Sequence, residues 1–236
     1  VAYEDFYESD EDALAALVSM YANYLQNVAG TEGIDNPEQV ILNYSADDIL
    51  SAGGDRDDHA PFRFFDEFRY DVSNTTLKQM YQRYYYAIYH ANLVISNFTT
   101  ENRTGAEPKW KSKVVDQYVA EARVMRAFDN LNLAMYWGVP PIVTTVLTAE
   151  DRPANAESPE AVYKFVIEDI DAALDDLDER ESTEDQAGAY KITKGFAYGV
   201  KAKANMFLKN WDEVKKACKA VIDSKKYALV PGTQMK

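Results

Sequence analysis

The residues best suited to hold a cation are three aspartates and a histidine in one short stretch, Asp55, Asp57, Asp58 and His59. Carboxylate oxygens are the ligands that calcium prefers, and imidazole suits several transition metals. Their spacing is not that of a known calcium loop, in which acidic side chains recur at fixed positions over about twelve residues. We therefore interpret 55–59 as a solvated acidic loop and predict no metal site, with a bound cation as the alternative.

The one cysteine, Cys218, lies among the lysines Lys215, Lys216 and Lys219, whose charge could lower the pKa of its thiol. Neither of the two histidines is close to it in sequence, so a cysteine–histidine pair is not indicated. We expect a thiol that is packed between helices and chemically inert.

Catalytic signatures are missing from the sequence. It contains no glycine-rich phosphate loop, no G-x-S-x-G elbow, no H-E-x-x-H pair and no EF-hand loop. Acidic residues are numerous, but glycoside hydrolysis needs two carboxyl groups at a defined separation, which a sequence does not supply. We therefore predict that the protein is not an enzyme and has no catalytic residues and no cofactor.

Two polar residues fall on helical faces that are otherwise apolar. Asn92 continues an apolar line of helical spacing, so its amide must find partners when it is buried. Arg126 lies one turn before Asp129 and Asn130, where its guanidinium can pair along the helix. The favoured interpretation of both is structural: buried polar groups that determine how helices dock.

Composition excludes several classes of partner. The chain has 236 residues, 47% of them hydrophobic, and a formal net charge of −14 from 39 acidic and 25 basic side chains. This charge argues against nucleic acid, whose phosphates are neutralised by lysine and arginine, and against docking on anionic lipid. A single cysteine rules out a multi-cysteine metal cage. No apolar run reaches the length of about 18 residues that a spanning helix needs.

Helical periodicity and capping residues predict six principal helices. They cover approximately residues 9–30, 75–97, 108–137, 159–177, 193–209 and 212–224. Ser9 and Ser158 are start signals, and Thr75 or Thr76 begins the second helix. Gly138, followed by two prolines, is a strong stop. The best strand candidate, 142–147, is short, so the predicted class is mainly α.

Residues 31–73 lack this periodicity. Their glycines, prolines and aromatic residues predict long packed loops with at most short helices, an excursion from the helical scaffold of residues 74–236. Small residues on the last two helices and the turn at Trp211 resemble a tetratricopeptide hairpin. We therefore predict a single domain, residues 1–236, built as a tetratricopeptide-like scaffold of helical hairpins with long packed loops.

Motifs spread over most of the chain resemble, in order, those of the SusD/RagB family. The most diagnostic stretch comprises Glu121–Arg123, Arg126–Phe128 and Tyr136–Pro140. The other matching positions are 5–9 with Tyr21 and Leu25, 45–48, Tyr81 with Tyr85, Ile88 and Asn92, residues 162–177, and 193–195 with Ala202 and Lys203. Family members are longer, so we expect this chain to correspond to the N-terminal half of such a protein. The variable C-terminal half is expected to be absent, and the lipidated cysteine to lie upstream of Val1.

The resemblance implies a function and a location. SusD-like proteins are surface lipoproteins that bind glycans or other nutrients and deliver them to a SusC-like TonB-dependent transporter in the outer membrane. By resemblance, the protein is expected to be lipid-anchored and exposed at the cell outer membrane, with an oligosaccharide or other nutrient as its ligand. The alternative is a helical-repeat adaptor that binds proteins through a concave face. The 31–73 excursion, which an adaptor would not need, favours the first hypothesis.

A sugar-binding site should combine two kinds of side chain. The C–H faces of a neutral sugar stack on aromatic rings, and its hydroxyls suit carboxylate or arginine partners. This mixture is densest between Asp55 and Tyr81, where we predict the following ligand-binding residues: Asp58, Arg63, Phe65, Arg69, Tyr70 and Tyr81. The alternative for each ring is that it anchors the loop to the helices.

Overall fold

The computed structural model describes residues 6–29, 37–51, 53–98 and 113–229. These residues form helices and loops, and no strand occurs among them, so the predicted mainly α class is confirmed. The helices are α1 (Asp10–Ala29), α2 (Pro37–Tyr44), α3 (Ala60–Asp66), α4 (Thr75–Phe98), α5 (Lys113–Trp137), α6 (Pro159–Asp171), α7 (Gln186–Ala189), α8 (Lys194–Phe207) and α9 (Trp211–Ser224).

The six principal helices predicted from periodicity correspond to α1, α4, α5, α6, α8 and α9. The Ser9 hydroxyl accepts a hydrogen bond from the Asp12 amide, and the Asp12 carboxylate accepts one from the Ser9 amide. This reciprocal pair satisfies two amides at the start of α1. Ser158 caps α6 in the same sense, with its hydroxyl accepting from Ala161 N at 3.2 Å. Gly138 follows α5 with φ of 77°, a conformation that favours glycine.

The cap of α4 differs from the prediction. The side-chain oxygen of Asn74, rather than that of Thr75 or Thr76, accepts from the amides of Thr76 and Leu77, at 3.0 and 3.3 Å. The Asn74 amide also donates to the Pro61 carbonyl at 3.1 Å, which fastens α3 to the start of α4. One asparagine therefore both begins the helix and holds the loop that precedes it.

The long helices pack in succession. α4 lies against α1 and α5, α5 packs on α6, α6 packs on α8, and α8 and α9 form the final hairpin. Small buried side chains, among them Ala91, Ala122 and Ala127, let neighbouring helices approach closely. A second, smaller cluster of buried residues lies between α4 and α5: Met80, Tyr84, Ile88, Leu133 and Val143.

The 31–73 excursion contains two short helices, α2 and α3, which contact each other and α4. Ser51 N donates to the Asp66 carboxylate at 3.1 Å, and the Arg56 guanidinium donates to Glu67 at 2.6 Å. The Tyr136 hydroxyl donates to Glu38 at 2.9 Å and so connects α2 to the end of α5. These bonds order the described part of the excursion against the helical scaffold.

The strand candidate at 142–147 is wrong. The segment has no regular secondary structure and bends at Thr145, and side chains rather than a neighbouring strand bond to its carbonyls. The Asn92 amide donates to Val143 O and Thr145 O, both at 3.1 Å, and the Arg126 guanidinium donates to Thr144 O at 3.3 Å. A short β-prone sequence has therefore become a strap across helices α4 and α5.

None of the helices in the described ranges combines the length and the apolar character that crossing a membrane requires.

Candidate functional site

A cleft of about 520 Å³ lies between α4 and the 143–147 strap, and we call it the tyrosine cleft. Its volume is within the range of about 300–1,000 Å³ that is usual for small-molecule sites. It is lined by Tyr81, Gln82, Tyr85, Tyr86, Ile88, Tyr89, His90, Val143, Thr145 and Leu147. Most of this lining is aromatic or aliphatic.

Helical spacing places the rings together. Tyr81, Tyr85 and Tyr89 are four residues apart, so they follow one another along one face of α4, and Tyr86 lies beside them. On the adjoining face of the helix, Met80 and Tyr84 are buried in the core, and Tyr81 and Tyr85 pack against them. The same helix therefore anchors the fold with one face and presents aromatic rings with the other.

The inner rings, Tyr81 and Tyr85, are held by neighbouring residues, whereas the outer rings, Tyr86 and Tyr89, are exposed. Tyr81 packs against Tyr85 with ring centroids 4.8 Å apart, and edge-on against Trp137 at 5.2 Å. The Tyr85 hydroxyl donates to Pro141 O at 2.8 Å. Tyr86 is 60% exposed and Tyr89 39% exposed, so their faces are open to solvent.

The opposite wall of the tyrosine cleft depends on a buried clamp. Besides bonding to the strap, the Asn92 side chain accepts a hydrogen bond from Arg126 at 2.7 Å. Arg126 in turn makes a bidentate pair with Asp169 of α6, with both N–O distances 2.7 Å, and Arg123 donates to the same carboxylate at 3.1 Å. This clamp joins α4, α5, α6 and the strap, and therefore positions Val143 and Thr145 against the tyrosines.

The clamp confirms the structural interpretation of Asn92 and Arg126 but corrects the partner of Arg126. Arg126 pairs with Asp169 across helices and not with Asp129 along its own helix. Asp129 is fully buried, and neither of its carboxylate oxygens has a hydrogen-bond partner in the structure. Burial, with a smaller contribution from the Glu38 carboxylate, raises the pKa of Asp129 well above its usual value.

His90 closes one side of the tyrosine cleft. Its Nδ1 lies 3.2 Å from the Ser19 hydroxyl of α1, and its ring meets that of Tyr89 edge-on. Burial lowers the pKa of His90 below its usual value near 6.5, so the imidazole is neutral at pH 7. The described residues that line the tyrosine cleft accordingly carry no charged side chain.

Of the six predicted site residues, the structure places Tyr81 in the tyrosine cleft and the other five in or next to α3. Arg63 donates to the Asp57 carboxylate at 2.8 Å and to Arg56 O at 2.9 Å, and Asp58 accepts from Gly54 N at 2.8 Å. These contacts hold the loop that leads into α3.

The rings near α3 divide into packed and accessible ones. Phe65 is fully buried and packs against Tyr70, which is partly exposed, with ring centroids 5.0 Å apart. The guanidinium groups of Arg63 and Arg69 both lie over the ring of Phe64, at 5.4 and 5.8 Å from its centroid. Phe65 therefore contacts protein, whereas Tyr70 and Arg69 remain open to solvent.

Sequence reasoning did not select Tyr85, Tyr86, Tyr89 or His90 as site residues. The repeated tyrosines at helical spacing were the available signal, but nothing in the sequence indicated that the 143–147 strap would lie opposite them. The strap and α4 are far apart in sequence: Asn92 and Val143, which are hydrogen-bonded, are separated by 51 positions.

Two other sequence-based candidates, the acidic loop at 55–59 and Cys218, lie outside the tyrosine cleft. The Asp55 carboxylate accepts from the amides of Asp57 and Asp58, as in an ordinary turn, and no group of three potential metal ligands occurs among the described residues. Cys218 is exposed on α9, so the expectation of a packed thiol is wrong. α9 buries Ala217 against its neighbours, and the adjacent position faces solvent.

A larger cleft, of about 710 Å³, lies between α1 and α5. At its base the buried Glu121 carboxylate accepts hydrogen bonds from the Tyr21 hydroxyl and from Gln117 at 2.7 Å. Burial raises the pKa of Glu121 above its usual value. Because this carboxylate is already bonded on both oxygens and the cleft presents few open rings, the tyrosine cleft is the better candidate for ligand binding.

No model of a known protein family matches the chain. Two curated proteins, however, are similar to the chain in sequence. A SusD-like protein of Bacteroides ovatus is 26% identical over 214 residues, which cover 88% of this chain and 34% of the relative. The SusD-like protein P25 of Formosa agariphila is 24% identical over 236 residues, which cover 98% of this chain and 42% of the relative. The chain therefore spans less than half the length of either relative.

Solved structures agree with these relatives at the level of the fold. A SusD-like carbohydrate-binding protein of Bacteroides fragilis superposes with a TM-score of 0.72 at 21% identity, covering 92% of this chain and 41% of its own. A laminarin-binding SusD-like protein superposes with a TM-score of 0.74 at 22% identity, covering 91% of this chain and 43% of its own. The resemblance predicted from the sequence motifs is confirmed.

Proposed function

Because this chain is SusD-like in sequence and in fold, we propose that it binds a glycan at the cell surface and delivers it to a SusC-like, TonB-dependent outer-membrane transporter. The tyrosine cleft is the observation that carries the binding part of this proposal. Solved structures of similar fold include a carbohydrate-binding and a laminarin-binding protein, which supports a glycan as the ligand.

Open aromatic faces suit the C–H faces of sugar rings. Covering about 60–100 Å² of a tyrosine face would contribute about 1.5–2.5 kcal/mol, equivalent to a tenfold or larger change in affinity. Tyr86 and Tyr89 offer such faces, while Gln82 and Thr145 can exchange hydrogen bonds with hydroxyls. The fixed inner rings, Tyr81 and Tyr85, limit the entropy lost when a ligand is bound.

The α3 region supplies a second part of the proposed site. Asp58, Arg63, Arg69 and Tyr70 bring carboxylate, guanidinium and phenol groups near the start of α4, to which Asn74 ties α3. We assign Phe65 to this part as the ring that holds Tyr70 in place. In this proposal the α3 residues extend the binding surface, and the tyrosine cleft forms its centre.

Binding without catalysis is part of the proposal. The tyrosine cleft is lined by rings, an amide, a hydroxyl and a neutral imidazole, and it does not bring together the two carboxyl groups that glycoside hydrolysis uses. The transporter partner and the outer-membrane location, with a lipid anchor upstream, rest on the family resemblance.

The test is calorimetric titration of neutral and acidic oligosaccharides into the protein and into a variant that carries Tyr86→Ala and Tyr89→Ala. We expect the variant to lose at least about tenfold in affinity for whichever glycan binds. Tyr190→Ala is the matched control, because Tyr190 is 82% exposed and lies outside the cleft. If no glycan binds, or if the variant and the control bind equally well, the cleft is not the binding site.

A further inference from the structure

We infer that the tyrosine cleft selects neutral glycans and discriminates against glycans that carry carboxylate or sulfate groups. This inference rests on the proposed function and narrows its ligand to one chemical class. Three observations support it: the side chains that line the cleft, the ion pairs that arginines outside the cleft make with carboxylates of the protein, and the net charge of the whole chain.

The lining lacks the groups that recognise anions. Proteins usually bind carboxylate and sulfate through arginine or lysine, whose charge-assisted hydrogen bonds are about twice as strong as neutral ones. Among the described residues, no lysine or arginine lines the tyrosine cleft, and the α4 cations Lys78 and Arg83 are not part of its surface. An anionic group bound against these rings would lose water without gaining a partner of opposite charge.

His90 does not replace the missing cation. Its Nδ1 already faces the Ser19 hydroxyl, and the ring is packed beside Tyr89. Because burial lowers the pKa of His90, the imidazole carries no positive charge at neutral pH. It therefore offers a sugar a neutral hydrogen-bonding nitrogen.

Three arginines of the α3 region and of the clamp make ion pairs with carboxylates of the protein. Arg63 pairs with Asp57 at 2.8 Å, Arg69 with Glu67 at 2.9 Å, and Arg126 is buried in its pair with Asp169. An acidic sugar would have to compete with these internal partners. At longer range, the net charge of −14 repels polyanions and lowers their local concentration.

The polar groups of the cleft fit hydroxyls instead. Gln82 can donate and accept, Thr145 carries a hydroxyl, and the tyrosine hydroxyls of Tyr86 and Tyr89 can do either. A neutral oligosaccharide can therefore satisfy both its apolar faces and its hydroxyls without introducing a charge.

The first experiment compares glycans that differ only in charge. A galacturonan and the same polymer after reduction of its carboxyl groups form one such pair, and a sulfated galactan with its desulfated product forms another. We expect the neutral member to bind about tenfold or more tightly, and the difference to narrow but persist at high salt, because salt screens the long-range repulsion but not the loss of hydration of the buried anion. Tighter binding of the acidic member overturns this inference and leaves the proposed function standing, whereas failure of every neutral and acidic glycan to bind overturns the proposed function.

A second experiment tests whether a cation introduced into the tyrosine cleft makes it bind acidic glycans more tightly. Gln82→Lys places a cation in the cleft at an exposed position of α4, so acidic glycans should gain about tenfold in affinity, and the gain should fall as salt is added. Gln186→Lys adds the same charge at an exposed site outside the cleft. Equal effects of the two variants would show that charge selection does not take place in the tyrosine cleft.

Discussion

Tyr81 is the residue at which the sequence-based site and the cleft coincide. Its ring forms part of the cleft wall, supported by Tyr85 and Trp137. Arg63 acts through the loop before α3, where it holds Asp57 and the carbonyl of Arg56. In the proposed site, Tyr81 would contact the glycan directly, whereas Arg63 would act by organising the neighbouring loop.

Replacing either residue should weaken glycan binding. We expect Tyr81→Ala and Arg63→Ala each to lower affinity by about tenfold, because a ring face is lost in one and the loop is released in the other. Calorimetry measures the affinity, and circular dichroism should show unchanged helicity. Arg152→Ala is the control, since that guanidinium is exposed and, among the described residues, donates to carbonyls of its own turn. Full affinity in both test variants would place the binding site elsewhere.

Asp129 makes folding stability depend on pH. Because the pKa of Asp129 is raised in the folded protein, its carboxyl stays protonated there at pH values just above about 3.9, at which the same carboxyl in the unfolded chain is already ionised. The stability that the neutral acid contributes is therefore complete below that value and is lost as the pH rises through the folded pKa.

Asp129→Asn should remove this loss. We expect the variant to gain about 1–2 kcal/mol in unfolding free energy over the parent at neutral pH, with a smaller gain at acidic pH. Urea denaturation at about pH 5 and about pH 8 measures the difference. Asp48→Asn, at an exposed position, is the control and should leave the pH dependence as it is. A gain that shrinks as the pH rises would contradict the assignment.

At the scale of the elements, the clamp of Asn92, Arg126 and Asp169 connects three helices to the strap. Its groups are buried, so each depends on the others for its hydrogen bonds. Removing Asn92 leaves two strap carbonyls and part of the Arg126 guanidinium without their partner. Leaving buried polar groups unpaired costs far more free energy than losing an exposed bond.

Asn92→Ala should therefore destabilise the fold by about 2–4 kcal/mol and loosen the 143–147 strap. Chemical denaturation measures the first effect, and hydrogen exchange of peptides that contain 143–147 measures the second. Asn97→Ala is a matched control on the same helix, because the Asn97 amide donates to Leu93 O one turn earlier and makes no bond to the strap among the described residues. If both variants lose equal stability and the strap exchanges as before, the clamp does not position the cleft wall.

At the scale of the whole molecule, a high negative charge coexists with exposed apolar side chains. Leu14, Val18 and Leu25 are exposed on α1, and Trp211 and Ile222 on α9. Contiguous apolar surface favours association, while the net charge of −14 opposes it. Which of the two prevails should depend on ionic strength.

Self-association should therefore increase with protein concentration and with added salt, because salt screens the repulsion between copies. Sedimentation velocity over a range of salt concentrations measures the average mass. Val18→Glu should reduce the association, since it adds charge beside Leu14, whereas Val72→Glu should not, because Val72 is fully exposed in a loop outside α1. A monomer under all conditions would contradict this prediction.

Several features of the protein followed from the sequence alone. The six long helices, the Ser9 and Ser158 caps and the stop at Gly138 depend on residues within a few positions of one another, and such local interactions are visible in a single chain. The family resemblance also followed from the sequence, because its motifs are short segments that occur along this chain in the same order as in the family.

The tertiary structure decided what depends on distant partners. Arg126 could pair along α5 by its spacing, yet the bidentate geometry offered by Asp169 of α6 is the one that forms. The 142–147 segment has strand-like residues, but Asn92 and Arg126 take the carbonyls that a second strand would need. Cys218 faces solvent because α9 lies at the end of the helical series, where its outer face has no neighbour among the described helices. The tyrosine cleft belongs to this group too, since four rings on α4 become a cleft only when the strap lies opposite them.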